Sequence, residues 1–125
     1  MNLSIVVLPE RYAVCRLRPE DSIPTDLFHG RLCSVTRTEN ELSIVLLEED
    51  VQAGWQAERG WRCLKVLGPL DFSLTGILSG ISGALAEECI SIFALSTYDT
   101  DYILIPHSSL EKAVSVLSDR GYNIL

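Results

Sequence analysis

Between Ser96 and Asp101 the sequence reads Ser-Thr-Tyr-Asp-Thr-Asp, with hydroxyl side chains interleaved with carboxylates between two strand-like runs. Asp99 and Asp101 can accept hydrogen bonds from an ammonium group or another cation, and charge-assisted bonds of that kind run about twice the strength of neutral ones. The same side chains can also serve the turn itself, because Asp and Thr bond to nearby backbone and need no ligand. The Gly or Asn-Gly that marks a tight hairpin is missing from the connection Tyr98-Asp99-Thr100-Asp101, so both uses stand open. A metal ion on this pair is disfavoured, since hard cations want more oxygen ligands than one turn offers.

Other chemistries have weaker anchors. The chain contains no Gly-rich phosphate loop, no G-x-S-x-G elbow and no H-E-x-x-H pair, so neither catalysis nor a cofactor is expected. His107 beside Ser108 and His29 beside Gly30 read as surface residues, because a catalytic base also needs a pocket and a partner. Cys15, Cys33, Cys63 and Cys89 are scattered with no C-x-x-C spacing, and read as reduced, buried thiols packing as small apolar groups. A formal net charge of -7 with no Lys/Arg-rich run argues against nucleic acid and against anionic membrane surfaces. The apolar start lacks a basic region and a cleavage site. The long run from Leu74 to Leu95 contains Glu87 and Glu88, which are costly at a bilayer centre. A cytoplasmic protein is expected.

The elements that must position the acidic turn follow from periodicity. Trp61–Gly68 reads as a strand ending at Gly-Pro. Leu74, Ile77, Leu78, Ile81, Ala84 and Leu85 then recur at helical spacing, with Ser73 or Asp71 as the expected cap. Gly76, Gly80 and Gly83 thin one face of that helix, each at a cost of roughly 1 kcal/mol against alanine. Close approach of a neighbouring group would offset that cost; simple tolerance is the alternative. Two strands follow, around the acidic turn. Ser108-Ser109-Leu110-Glu111 then gives an S-x-x-E capping box for a second helix, Gly121 its stop, and Tyr122–Leu125 a last strand. The order strand–helix–strand–strand–helix–strand is the ferredoxin-like pattern.

The first half is richer in strands. Leu3–Leu8 and Tyr12–Leu17 flank Pro-Glu-Arg as an expected hairpin, and Ile23–Gly30 has room for one helical turn. The runs 31–38 and 42–47 form a second expected hairpin. The polar stretch 48–60 carries the boundary, placed near Glu58, and Trp55 and Trp61 on either side are expected to pack the halves together. The fold class is therefore α+β: two tandem ferredoxin-like βαββαβ units, 1–58 shortened and 59–125 complete. Apolar runs such as Ile44–Leu47 want cover on both faces, and a half of roughly 60 residues is marginal alone. The halves are expected to share an interface, and a homodimer would cover what remains.

The segments 64–106 and 110–122 resemble the ACT domain, the regulatory module appended to enzymes such as aspartate kinase. The phrase Ile90–Pro106 is similar to the tandem subgroup that includes eukaryotic cytosolic arginine sensors and small bacterial ACT proteins. The first half, through Tyr12–Leu17 and Leu42–Glu49, is similar to the first module of that architecture. The resemblance implies ACT-like units without catalysis of their own, a free amino acid bound between units, and output to a protein partner. It points to Gly68, Asp71, Phe72, Thr75 and Gly76 in the loop after the first strand, and to Thr97, Tyr98, Asp99, Thr100 and Asp101 in the turn. The family's common D-x-x-G loop start is displaced here, since Asp71 is followed by Phe72-Ser73-Leu74-Thr75 before Gly76. Chemically, N–H groups at the helix start would take the amino acid's carboxylate, and Asp99, Asp101 or Asp71 its ammonium. Asp71 reads first as a cap. The rival reading is a ligand-free interaction or dimerisation module of the same fold.

Overall fold

The computed structural model describes residues 3–68 and 75–125. Its strands are β1 (Ser4–Leu17), β2 (Ser34–Arg37), β3 (Leu42–Leu47), β4 (Gln56–Val66), β5 (Phe93–Ser96), β6 (Asp101–Pro106) and β7 (Asn123–Ile124). Its helices are α1 (Ile77–Glu87) and α2 (Leu110–Asp119), and short 3-10 turns lie at Thr25–Leu27, Glu48–Asp50 and His107–Ser109. The chain divides into two compact units, one of Met1–Pro9 with Arg62–Leu125 and one of Glu10–Trp61.

In the larger unit the strands run β7–β1–β4–β6–β5. Ile77, Ile81, Ala84 and Leu85 are the buried stripe of α1. They pack with Ile5, Leu64, Val66, Ile103 and Ile105 of the strands and with Ala113 and Leu117 of α2. Helix α1 starts later than the run from Leu74 suggests: its cap is Gly76, at φ 78°, with no side-chain capping bond. The proposed caps Asp71 and Ser73 lie outside the described residues. The expected capping box of α2 does not form either. Ser109, not Ser108, caps the helix, and without a side-chain bond, because Ser108 lies inside the 3-10 turn His107–Ser109 that runs directly into α2 and does not stand at the cap position the box requires. Gly121 does end α2, at φ 93°. The Tyr122 N–H bonds the Leu117 carbonyl and the Gly121 N–H that of Ser118, the paired geometry of a Schellman stop. Of the helix glycines, Gly80 meets a neighbour: a Cβ there would lie 2.9 Å from the Tyr122 hydroxyl, whereas one at Gly83 would meet nothing within 4 Å.

In the smaller unit the order is β2–β3–β1–β4. Ala13, Cys15, Leu17, Leu42, Ile44 and Leu46 face one core with Leu27, and Trp55 packs against it. The hairpin expected between Leu8 and Tyr12 is corrected: β1 runs unbroken through Pro9. The reason lies in its partners. β7 pairs with Ser4 and Ile5, and β3 takes over only at Tyr12. Pro9, which has no N–H, therefore falls in a gap between two ladders and forfeits no bond to either. The hairpin β2–β3 forms as expected, with Ser34 opposite Val45, and the helical turn near Ile23–Gly30 is the 3-10 turn Thr25–Leu27.

Two cysteines, Cys15 and Cys63, are buried as expected, Cys33 is half-buried, and Cys89 is exposed. The Cys89 correction has a local cause. It stands at φ 57° just past α1, where the chain reverses as the Ile90 N–H bonds the Leu85 carbonyl, so its side chain is turned out of the core. Burial pushes the thiols of Cys15 and Cys33 above their ordinary pKa, with Arg59 pulling Cys15 back and Asp50 adding to the rise at Cys33.

Candidate functional site

The acidic turn joins β5 to β6, which pair antiparallel with Ser96 opposite Asp101. The Thr97 N–H donates to the Thr100 carbonyl at 2.8 Å, leaving Tyr98 and Asp99 as a two-residue loop. Among the described residues Cys89 is the one non-glycine with positive φ, so Tyr98 and Asp99 do not adopt the left-handed backbone of a primed hairpin turn. Side chains hold the connection instead. Thr97 Oγ1 donates to the Thr100 carbonyl at 3.2 Å and accepts the Thr100 N–H at 3.4 Å. The Ser96 hydroxyl donates to Asp101 Oδ1 at 2.5 Å.

Thr100 reaches further. Its side chain is buried, and Oγ1 donates to the Val66 carbonyl at 2.6 Å. Val66 ends β4, so this bond fastens the acidic turn to the strand end from which the loop at Gly68 departs. Sheet order makes the bond possible, since β6 lies beside β4. Tyr102, at the start of β6, carries the Lys65 ammonium 5.8 Å from its ring centre, a contact in the cation–π range.

The two candidate groups thus have definable places. Thr97, Tyr98, Asp99, Thr100 and Asp101 share one turn, with Tyr98 81% exposed and Asp99 exposed. Gly68, Thr75 and Gly76 are exposed, and Gly76 sits at the start of α1 with open space where a Cβ would be. The Gly80 N–H closes the first helical bond on the Gly76 carbonyl, so N–H groups of the first turn carry no intrahelical bond. Asp71 and Phe72 lie outside the described residues. Reading the sequence did not reveal the Val66 carbonyl or Lys65, because a backbone acceptor and a cross-strand cation leave no mark in local pattern.

His107 and His29 are both exposed, and His29 Nε2 lies 2.7 Å from Asp50 Oδ2. Among the described residues no group of His, Cys, Asp and Glu is placed to hold a metal ion. No helix among them is long and apolar enough to cross a membrane.

A family model of the ACT domain matches residues 56–119, more than half of the chain. The chain belongs to the ACT domain family. A second family model, of an N-terminal domain, matches residues 10–53. The cytosolic arginine sensor for mTORC1 subunit 1 of Homo sapiens is 36% identical over 61 residues, which is 48% of this ACT protein and 18% of the relative. The chain therefore spans less than a fifth of that curated relative's length. Among solved structures, protein Atu0741 of Agobacterium tumefaciens is 34% identical, with a TM-score of 0.92 over 100% of this chain and 93% of that one. The regulatory subunit of aspartate kinase from Thermus thermophilus shares the ACT fold at a TM-score of 0.63, covering 92% of this chain and 95% of that one at 11% identity.

Proposed function

We propose that this ACT protein is a cytoplasmic regulatory protein that binds a free amino acid and passes the bound state to a protein partner, with no catalysis of its own. The observation that carries the reading is the Thr100 bond to the Val66 carbonyl, which sets the acidic turn beside the departure of the Gly68 loop. In this reading uncapped N–H groups at the start of α1 take the carboxylate, aided by the helix dipole. Asp99 and Asp101 take the ammonium or a cationic side chain. Gly68, Thr75, Gly76, Thr97, Tyr98 and Thr100 line the ligand, and Asp71 and Phe72 complete the loop. The relative named as an arginine sensor puts arginine first among the ligands to try.

The tandem reading belongs here too. Residues 1–58 are taken as a shortened ACT-like unit and 59–125 as the full one, with the segment Met1–Pro9 of the first lent to the compact unit of the second. Support comes from the smaller unit, whose strands stand in the ferredoxin-like order with 3-10 turns where helices would be. The chain is further taken to act as a homodimer.

A ligand-free interaction module remains the rival, favoured by one observation: the hydroxyls of Ser96, Thr97 and Thr100 already have partners within the fold. Thermal shift against the twenty amino acids separates the two. A ligand at about 100 times its dissociation constant adds roughly 2.7 kcal/mol to the folded state. We expect one amino acid to raise the melting temperature of the native chain and not of Asp101→Ala. Flat melts across the panel would overturn the sensor in favour of the rival.

A further inference from the structure

We propose that the cavity where β1 ends in the smaller unit binds a small organic carboxylate carried on a flat apolar body. This cavity shares no residue with the proposed amino-acid site and stands independently of it. Its volume is about 300 Å³, near the lower end of the range for ligand sites. Arg16 and Arg18 line it from the end of β1, and Gly54, Trp55 and Gln56 from the start of β4 and the turn before it.

Arg16 and Arg18 stand two apart, the spacing that sets both on one side of an extended chain, with buried Leu17 between them. Their partners differ. Asp21, also in the lining, is committed to Arg18. Its Oδ2 accepts the Arg18 backbone N–H at 2.9 Å, and its Oδ1 accepts Nε at 3.3 Å and Nη2 at 3.0 Å. The side-chain bonds hold the Asp21 carboxyl below its ordinary pKa, so it stays an anion spent on its neighbour. Glu20 adds to the claim on Arg18, with Oε1 3.5 Å from Nε. Arg16, by contrast, has no carboxylate within ion-pair distance among the described residues. Its Nη2 donates to the Asn40 carbonyl at 3.2 Å, a bond that orients the guanidinium and leaves its other N–H groups for a ligand.

Donors in the cavity thus outnumber acceptors, since Asp21 is used and the Gln56 amide brings both. A ligand that fits must bring acceptors, and a guanidinium pairs with a carboxylate through two parallel bonds. Two arginines against one aspartate leave the lining one net positive charge, which matches a monoanion better than a phosphate dianion. The flat body is assigned by Trp55. Its half-buried side chain packs on the core of the smaller unit and also borders the cavity, and an aromatic face favours offset stacking with another ring. Gly54, at φ 86° with open space where a Cβ would stand, leaves the rim beside Trp55 clear.

The test is titration of the full chain with benzoate, with its neutral counterpart benzamide and with inorganic phosphate, followed by proton–nitrogen NMR correlation. We expect benzoate to shift the Trp55 indole N–H and the Arg16 Nε–H saturably. Benzamide and phosphate should bind at least about tenfold more weakly, the scale of one charge-assisted hydrogen bond. Arg16→Gln, at an exposed position, should lose about as much affinity for benzoate with unchanged circular dichroism. No saturation by about 10 mM benzoate, or binding that survives intact in Arg16→Gln, would overturn the site. Shifts confined to 75–80 and 97–101 would place the carboxylate at the proposed amino-acid site and overturn this one alone. Phosphate binding as tightly as benzoate would overturn the carboxylate class.

Discussion

Replacing Thr100 by valine removes one hydroxyl from an otherwise unchanged shape, which isolates the bond to the Val66 carbonyl. Thr100 is 4% exposed and its Oγ1 lies 2.6 Å from that carbonyl. Water cannot readily replace the lost donor at so buried a site. Leaving a buried acceptor unpaired costs about 1–3 kcal/mol, and the added methyl occupies the space of the hydroxyl, so no cavity cost enters. With an unfolding entropy of roughly 2.1 cal/mol/K per residue, about 2 kcal/mol lowers the melting temperature by about 8 °C. Thr100→Ser keeps the hydroxyl and should lose only the burial of one methyl, about 1 kcal/mol. Melts followed by circular dichroism, with urea titrations alongside, would read both. A Thr100→Val melt within about 1 °C of the native protein, or a serine variant as unstable as the valine one, would refute the assignment of this bond as the fastening of the turn.

Other outcomes follow from the same structure. Gly83→Ala should stabilise by roughly 0.5–1 kcal/mol through helix propensity, because nothing lies within 4 Å of the new Cβ. Gly80→Ala should fall below it in urea midpoint, since the Tyr122 hydroxyl must move from 2.9 Å. With a chromogenic disulfide, Cys89 should react first, and Cys15 and Cys63 only as the chain unfolds, given their exposures of 1% and 0%; simultaneous reaction would contradict the packing. The raised thiol of Cys15 means that the folded state holds its proton more tightly than the unfolded state. Its contribution is complete below the unfolded value near 9.0 and is lost as pH climbs through the folded one. Stability should therefore drop as pH rises above about 9, and less so in Cys15→Ala.

The parts of the fold visible in the sequence are those set by local pattern. The helical stripe from Ile77 to Leu85 and the stop at Gly121 need only neighbours within a few residues to declare themselves. The run Asp101–Pro106 is a strand over its whole length, as its sequence suggests. What escaped was decided at a distance. Pro9 looks like a turn until its two partner strands are known, and those lie more than thirty residues away in the chain. Ser108 and Glu111 fit a capping box, but the 3-10 turn takes in Ser108 and moves the cap to Ser109. At the candidate site, the carboxylates and hydroxyls of the turn could be named from sequence, whereas their fastening through a backbone carbonyl of β4 could not.

The unbroken course of β1 has a consequence for how the chain must assemble. Ser4 and Ile5 pair with Asn123 and Ile124, and β1 stands between β7 and β4 in the sheet of the larger unit. Strand β1 is thus an interior strand whose partner β7 lies beyond every other strand in the sequence. Its contacts with β7 join segments far apart along the chain and are among the most costly in loop entropy. A fragment cut at the family boundary of residue 56 would carry both helices and yet lack the strand on which β7 closes. The two units are interleaved along the chain, and neither can be lifted out by cutting at one place.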